Sequence, residues 1–196
     1  MPHKEQRLWR RAAFCGSTGT RHWPAANGMM ARMLTVQLIT PAEGCRWKAL
    51  RLGALRDAPS AFGSTHAQVS RWSDAEWDRR VALLCGDSQA GYLACDGTAD
   101  VGMAAGVLAD GEPTRAALIS MWVTPSHRGR GVGRLLVTRV ADWSRSRGMR
   151  TLCLTVTSNN AVAVAFYQRL GFTMTGRTEP YPNDPALVEL EMARAL

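Results

Sequence analysis

The sequence predicts a central mixed β-sheet flanked by helices, in the α/β (α+β) class, and three observations carry that prediction. From about residue 89 to residue 123 it reads as short apolar strands separated by turn signals, Asp96-Gly97 and Asp110-Gly111-Glu112-Pro113. From Ala116 to Thr157 the pattern is strand, helix, strand, and a crossover of that length requires parallel pairing with a right-handed connection. The chain has 196 residues, 46% of them apolar, enough for one ordinary domain with its own core and too few for two.

Each element follows from local chemistry. Leu34 to Ile39 reads as a strand through Val36, Leu38 and Ile39. Thr40-Pro41-Ala42-Glu43 is a helix start, with Thr40 as N-cap, Pro41 at the first position and Glu43 at the third. That helix continues through Trp47, Leu50, Leu52 and Leu55 and must stop by Asp57-Ala58-Pro59. Ser60 to Ser70 is loop or broken helix. Ser73 then caps a second helix with Trp77, Val81 and Leu84 on one face. Strands follow at Ala90–Cys95, Val101–Leu108 and Ala116–Val123. A helix from about Gly131 to Arg147 carries the stripe Val132, Leu135, Leu136, Val140, Trp143 and ends at Gly148. Thr151–Thr157 is a strand, about Asn160 to Leu170 a helix closed by Gly171, and the last strands lie near Phe172–Gly176 and Leu187–Met192.

Composition excludes several classes. Charged residues make up 20% and mean hydropathy is −0.16, which argues against disorder and coiled coil alike. The longest uncharged stretch, Thr151 to Gln168, is broken by the polar run Thr157-Ser158-Asn159-Asn160, so no continuous apolar segment reaches the ~20 residues a membrane helix requires. Net charge is +8, but residues 1–33 alone hold six basic side chains against Glu5, so the body is only mildly basic. A nucleic-acid partner is therefore supported by charge alone and is not expected. Five scattered cysteines with no C-x-x-C pair and four scattered histidines fit a reducing cytoplasm and no metal site.

Residues 1–33 show no periodicity and no continuous apolar region of a secretory signal. Their Arg-rich, acid-poor composition allows organelle targeting, but Pro24, Gly16, Gly19 and Gly28 break any long amphipathic helix. We expect a disordered or mis-started extension, with the folded domain spanning residues 34–196.

Chemistry concentrates in the turn Val123-Thr-Pro-Ser-His-Arg-Gly-Arg-Gly-Val-Gly-Arg-Leu-Leu136. Gly129, Gly131 and Gly133 alternate where a strand hands over to a helix. Free N–H groups at such a junction attract an anion, and Arg128, Arg130 and Arg134 add full charges. A P-loop would need Lys-Ser/Thr after the last glycine, where Arg134-Leu135 stands. The dinucleotide fingerprint read from Gly131 has Leu136 where its third small residue belongs. A phosphate or pyrophosphate ligand remains, on a loop of neither type. The competing reading is an arginine-rich solvated turn.

Arg128-Gly129-Arg130-Gly131-Val132-Gly133 resembles the R/Q-x-x-G-x-G/A motif of the GNAT superfamily of N-acetyltransferases, and it follows a strand ending V-x-P. Asn160-Ala161-Val162-Ala163-Val164-Ala165-Phe166-Tyr167-Gln168-Arg169-Leu170-Gly171-Phe172 resembles that family's second signature. The likeness covers residues 34–196. It implies a βαβ acetyl-CoA-binding core in which the glycine loop, including Val132, binds pyrophosphate. Met121, Trp122 and Val123 would pair with the pantetheine arm, and Asn160 would contact the donor from the second helix. It further implies a monomer or homodimer acting on a small-molecule amine or a protein amine, without metal.

Acetyl transfer needs a neutral amine, a polarised carbonyl and a proton for the leaving thiolate. Tyr167 falls where the resemblance places the acid, and a phenol of pKa ~10 stays protonated at neutral pH. On residue type alone it reads as a core tyrosine on the Val162-Ala163-Phe166-Leu170 face. The general base is a gap: Ala116–Val123 contains no acid, and Glu179, Asp184 and Glu189 stand as distant alternatives. That gap leaves a second reading, a non-catalytic acyl-CoA-binding regulatory protein. His127 reads as a solvated loop residue. Trp47, Phe62, Trp72 and Trp77 could wall a substrate site but stand at helical spacing typical of core.

Overall fold

In the computed structural model, which describes residues 34–109 and 111–196, the first strand is β1 (Leu34–Leu38). The expectation for residues 1–33 lies outside the described residues. After β1 the Thr40 hydroxyl accepts from the Ala42 amide at 3.3 Å, and the Glu43 carboxylate accepts from the Thr40 amide at 2.8 Å. This reciprocal cap opens a 3-10 turn, Pro41–Glu43, which runs into α1 (Gly44–Asp57). The stop at Asp57 is the one Pro59 requires. A 3-10 turn, Pro59–Ala61, and a single helical turn, His66–Val69, occupy the stretch read as broken helix. The Ser73 hydroxyl then accepts from the Glu76 amide at 3.2 Å to cap α2 (Asp74–Leu84).

Strands β2 (Gln89–Asp96), β3 (Ala99–Leu108) and β4 (Arg115–Val123) lead into α3 (Val132–Ser146), β5 (Thr151–Thr157), α4 (Ala161–Arg169), β6 (Thr173–Pro180) and β7 (Val188–Ala195). The last two strands extend beyond the apolar runs that announced them, because pairing rather than hydrophobicity sets their ends. One seven-stranded sheet results, in the order β1-β2-β3-β4-β5-β7-β6. Every neighbouring pair is antiparallel except β4 with β5. The mixed sheet and the parallel βαβ unit are as expected; the insertion of β7 between β5 and β6 had no local signal.

Two cores cover opposite faces. On one, Leu136, Val137, Val140 and Ala141 of α3 pack on Ala104, Ala116, Leu118, Leu152 and Leu154, with Tyr167 and Phe172 in the same cluster. On the other, Trp47, Leu50, Leu55, Trp77, Val81 and Leu84 pack on Leu93, Cys95, Met103 and Ala105. Neighbouring residues of β2 thus go to opposite cores, which explains its unbroken apolar run. Trp47, Phe62 and Trp77 are core, as their spacing suggested, while Trp72 is half-buried and stacks edge-on against Trp77. Each fully buried aliphatic side chain, such as Leu136, contributes about 1.5–3 kcal/mol relative to exposure.

The feature that makes a site is a failure of pairing. β4 and β5 are matched only from Arg115–Ala117 to Thr151–Cys153 and then part. The β3–β4 register slips between Met103 and Ala105, and Ser120 has φ +54°, the one positive φ at a non-glycine among the described residues. The inserted residue of this β-bulge bends and twists β4 just past the point where β5 leaves it.

Candidate active site

The parted strands open into a cavity of about 650 Å³. β4 contributes Ala117 through Met121, β5 contributes Cys153 to Thr155, and Tyr167 looks in from α4. Beyond Ala117, the β4 edge that faces β5 has no strand partner among the described residues, and as far as Met121 it borders the cavity.

The glycine turn lies at the end of β4. Gly129 (φ +75°) and Gly131 (φ +85°) are left-handed, and a Cβ at either would meet nothing within 4 Å. Gly131 is the N-cap of α3 and makes no side-chain cap. The first backbone bond there is Leu135 N–H to the Gly131 carbonyl at 3.1 Å. The amides of Gly129 through Arg134 therefore have no acceptor among the described residues, at the positive end of a 15-residue helix. Amides arranged in this way at a helix N-terminus form a cradle of the kind that suits an anion. Arg130 and Arg134 are exposed beside it.

Two of the expected loop residues act differently. Gly133 is needed for packing: a Cβ there would lie 2.9 Å from Phe166 and 3.1 Å from Met121. Val132 puts its side chain in the core and offers only its amide to the cradle. Arg128 is turned away from the cradle. Its Nε donates to the Val123 carbonyl at 3.1 Å, and its guanidinium pairs with Asp57 at the end of α1. Trp122 Nε1 donates to the same carboxylate at 2.9 Å. Burial pushes the Asp57 carboxyl up, but the Trp122 and Arg128 hydrogen bonds outweigh it and hold it below the usual carboxylate range. Trp122, Val123 and Arg128 thus brace the loop against α1, whereas Met121 lines the cavity.

His127 is not solvated. Its Nε2 lies 3.2 Å from Asp96 and its Nδ1 2.9 Å from the Ser126 hydroxyl, with the side chain only 16% exposed. Asn160 caps α4, its Oδ1 accepting from the Ala163 amide at 3.1 Å, which fixes where α4 begins.

Tyr167 is 8% exposed, packs edge-on against Phe166 and Phe172, and lines the cavity. Its hydroxyl has no hydrogen-bond partner among the described residues. Burial pushes this phenol well above its ordinary value.

Sequence reasoning found no acid on β4; the tertiary structure brings acids from elsewhere. Glu112, Glu179, Glu189 and Glu191 line the cavity, and Asp184 does not. Arg115 spans Glu112 at 2.8 Å and Glu191 at 3.0 Å. Burial pushes the Glu191 carboxyl up, yet hydrogen bonds from Thr175 and Arg115 bring it below the usual range, which makes it a poor base. Cys153 lines the cavity as a small buried thiol, Sγ 3.1 Å from the Ala116 carbonyl. Arg51 was also missed. It is 6% exposed, stacks 4.5 Å from the Phe62 ring and donates to Ser120 Oγ at 3.4 Å, supporting the bulge. Its one sequence signal was an arginine among the apolar positions of α1. No cluster with metal-ligand composition occurs among the described residues.

Comparison with known proteins matches this geometry. The profile of the acetyltransferase (GNAT) family covers residues 53–172. A [ribosomal protein bS18]-alanine N-acetyltransferase of Salmonella typhimurium is 38% identical over 129 residues, 65% of this chain and 82% of the relative. A streptothricin acetyltransferase of Streptomyces lavendulae is 44% identical over 62 residues, a match that covers 32% of this chain and spans 33% of the relative. Among solved structures, a GCN5-related N-acetyltransferase from Kribbella flavida is 26% identical, superposes with a TM-score of 0.65, and covers 83% of this chain and 98% of its own. The glycine turn, the parted strands and the buried tyrosine stand within the residues that the family profile covers, and the chain belongs to the acetyltransferase (GNAT) family, as an acyltransferase of the N-acetyltransferase type.

Proposed function

We propose that the chain transfers the acetyl group of acetyl-CoA to a primary amine by direct attack, with Tyr167 as the general acid. The observation that carries this reading is the gap between β4 and β5, bordered at once by the β4 edge that β5 leaves and by the side chain of Tyr167. The cradle fits the donor's diphosphate: six amides without acceptors, two glycines whose missing Cβ atoms leave open space, and two exposed arginines.

Acetyl-CoA supplies an activated thioester, so proximity and oriented backbone dipoles carry much of the rate. The amides of Gly129 to Arg134 hold the diphosphate, with Arg130 and Arg134 adding charge. The open edge at Met121 to Val123 orients the pantetheine arm, and Asn160 flanks it while capping α4. Trp122, Val123 and Arg128 hold the loop in place through Asp57. The amine nitrogen bonds to the carbonyl carbon as the carbon–sulfur bond breaks. The Tyr167 hydroxyl gives its proton to the departing sulfur, and the proton shed by the amine passes through the carboxylate-lined cavity to restore the phenol. A phenol raised by burial never ionises at neutral pH, but it is also a weak donor, so its contribution lies at the low end of the ~10²–10⁴-fold of general acid catalysis. We place the protein in a reducing cytoplasm, in keeping with the unpaired Cys45, Cys85, Cys95 and Cys153.

The test is release of free CoA thiol from acetyl-CoA across a panel of amines. Release matched mole for mole by acetylated amine is expected. Acetyl-CoA binding without release for any amine would leave the non-catalytic acyl-CoA-binding reading in its place.

A further inference from the structure

The turn that carries the cradle does not hold itself in place. Gly129 and Gly131 are left-handed, and a Cβ at either would meet nothing within 4 Å, so no packing restrains them on that side. Their position is set by the two residues that precede them. Arg128 reaches Asp57 at the end of α1, and His127 reaches Asp96 at the end of β2. The second anchor is the more enclosed: the Asp96 side chain is 9% exposed, against 27% for Asp57. Screening by solvent is correspondingly weaker there.

His127 ends a 3-10 turn, Pro125–His127, that the backbone ties to the sheet. The Thr124 amide donates to the Val101 carbonyl of β3 at 2.9 Å, and the His127 amide to the Thr124 carbonyl at 2.9 Å. A carboxylate accepts and does not donate, so the imidazole Nε2 donates to Asp96 across 3.2 Å. Nδ1 lies 2.9 Å from the Ser126 hydroxyl and 3.2 Å from that of Thr124, so both ring nitrogens are engaged within the fold. The other Asp96 oxygen, Oδ1, is buried with no hydrogen-bond partner among the described residues. His127 is thus the one side chain among them that engages this carboxylate.

We propose that His127, held by Asp96, is a positioning residue for the diphosphate of acetyl-CoA: it sets where the glycine turn lies and does not itself touch the donor. This rests on the turn being the donor's cradle. A turn ordered before the donor arrives spares binding the entropy of ordering it. The anchor therefore acts on affinity for the diphosphate and not on the chemical step.

Calorimetry with CoA would be run on the full chain and on His127→Ala, His127→Gln, Asp96→Ala and the double alanine variant, with thermal melting to confirm folding. Kinetics with acetyl-CoA and with S-acetylpantetheine, a donor that lacks the diphosphate, accompany it. His127→Ala should weaken CoA binding about tenfold, the scale of one hydrogen bond to a charged group. KM for acetyl-CoA should rise with it, while kcat and transfer from S-acetylpantetheine hold. His127→Gln keeps a donor where Nε2 stood and should recover most of the loss. Asp96→Ala separates position from charge: removing a negative charge near an anion site strengthens anion binding through the field alone, whereas losing the anchor weakens it. The double variant should lose no more than either single one. Tighter CoA binding in Asp96→Ala, additive losses, or equal losses with the two donors overturn the proposal. If no amine is acetylated, CoA affinity that still falls in both single variants upholds the positioning role while the transferase reading falls. If the unaltered chain does not bind CoA, the cradle and its anchor fall together.

Discussion

Tyr167 shows what one residue owes to its setting. Its hydroxyl sits among Phe166, Phe172 and the cavity with no partner among the described residues. Tyr167→Phe keeps the ring and its packing, and no internal hydrogen bond is lost, so the melting temperature should hold or rise slightly. Turnover should fall about a hundredfold with acetyl-CoA affinity nearly intact, because only the proton donor is gone. Melting, calorimetry and kinetics on one preparation decide it, and unchanged turnover with acetyl transfer rate-limiting removes Tyr167 from the mechanism. A core tyrosine with a satisfied hydroxyl, the alternative its residue type allowed, would instead have lost stability and kept turnover. The residue was legible through its motif; its missing partner was not.

At the scale of the element, the strand-to-helix turn separates two kinds of glycine that look alike in sequence. Gly131 is left-handed in open space, and Gly133 is pressed against Phe166 and Met121. Gly131→Val forces a β-branched residue into the left-handed region and puts its side chain over the cradle. Gly133→Val drives methyl groups into the α3–α4 contact. The first should abolish acetyl-CoA binding at a modest cost in stability, about 1–2 kcal/mol. The second should lower the melting temperature more strongly, with binding lost as a consequence of mispacking. Calorimetry and melting on both variants test this; equal melting temperatures would remove the distinction. Alternation of the glycines predicted an anion site, but only the position of α4 reveals why the third one is glycine.

For the whole molecule, the Asp57 brace is what joins the cover of one sheet face to the loop that starts the helix on the other. The carboxylate takes hydrogen bonds from Trp122 and Arg128 and is held below its ordinary value. A depressed carboxyl stabilises the fold at pH above its unfolded value of ~3.9, and the gain is lost as pH falls through the depressed value. Asp57→Asn should therefore lower stability at neutral pH by about 0.5–1 kcal/mol, a small figure because Arg128 is half exposed to solvent. The difference in melting temperature between the two proteins should shrink below about pH 4. A difference that stays constant from pH 7 to pH 3 would show that the charge contributes nothing. Acetyl-CoA affinity should weaken in the same variant, since Arg128 and Trp122 then lose the anchor that positions the turn.

The sequence by itself determined the mixed α/β class and almost every element boundary to within a few residues, and it singled out the glycine turn and Tyr167 as candidates. These follow from caps, turn residues and periodicities, which act over four to a dozen neighbours. Only the tertiary structure decided the bulge at Ser120, the parting of β4 from β5, the placement of β7 beside β5 and the acidic wall of the cavity. Glu112, Arg115, Glu179, Glu189 and Glu191 are brought to one wall by strand order and register. A strand presents its side chains with period two whatever its neighbour is, so no local pattern states which strand will lie beside it or which charges will meet across the sheet.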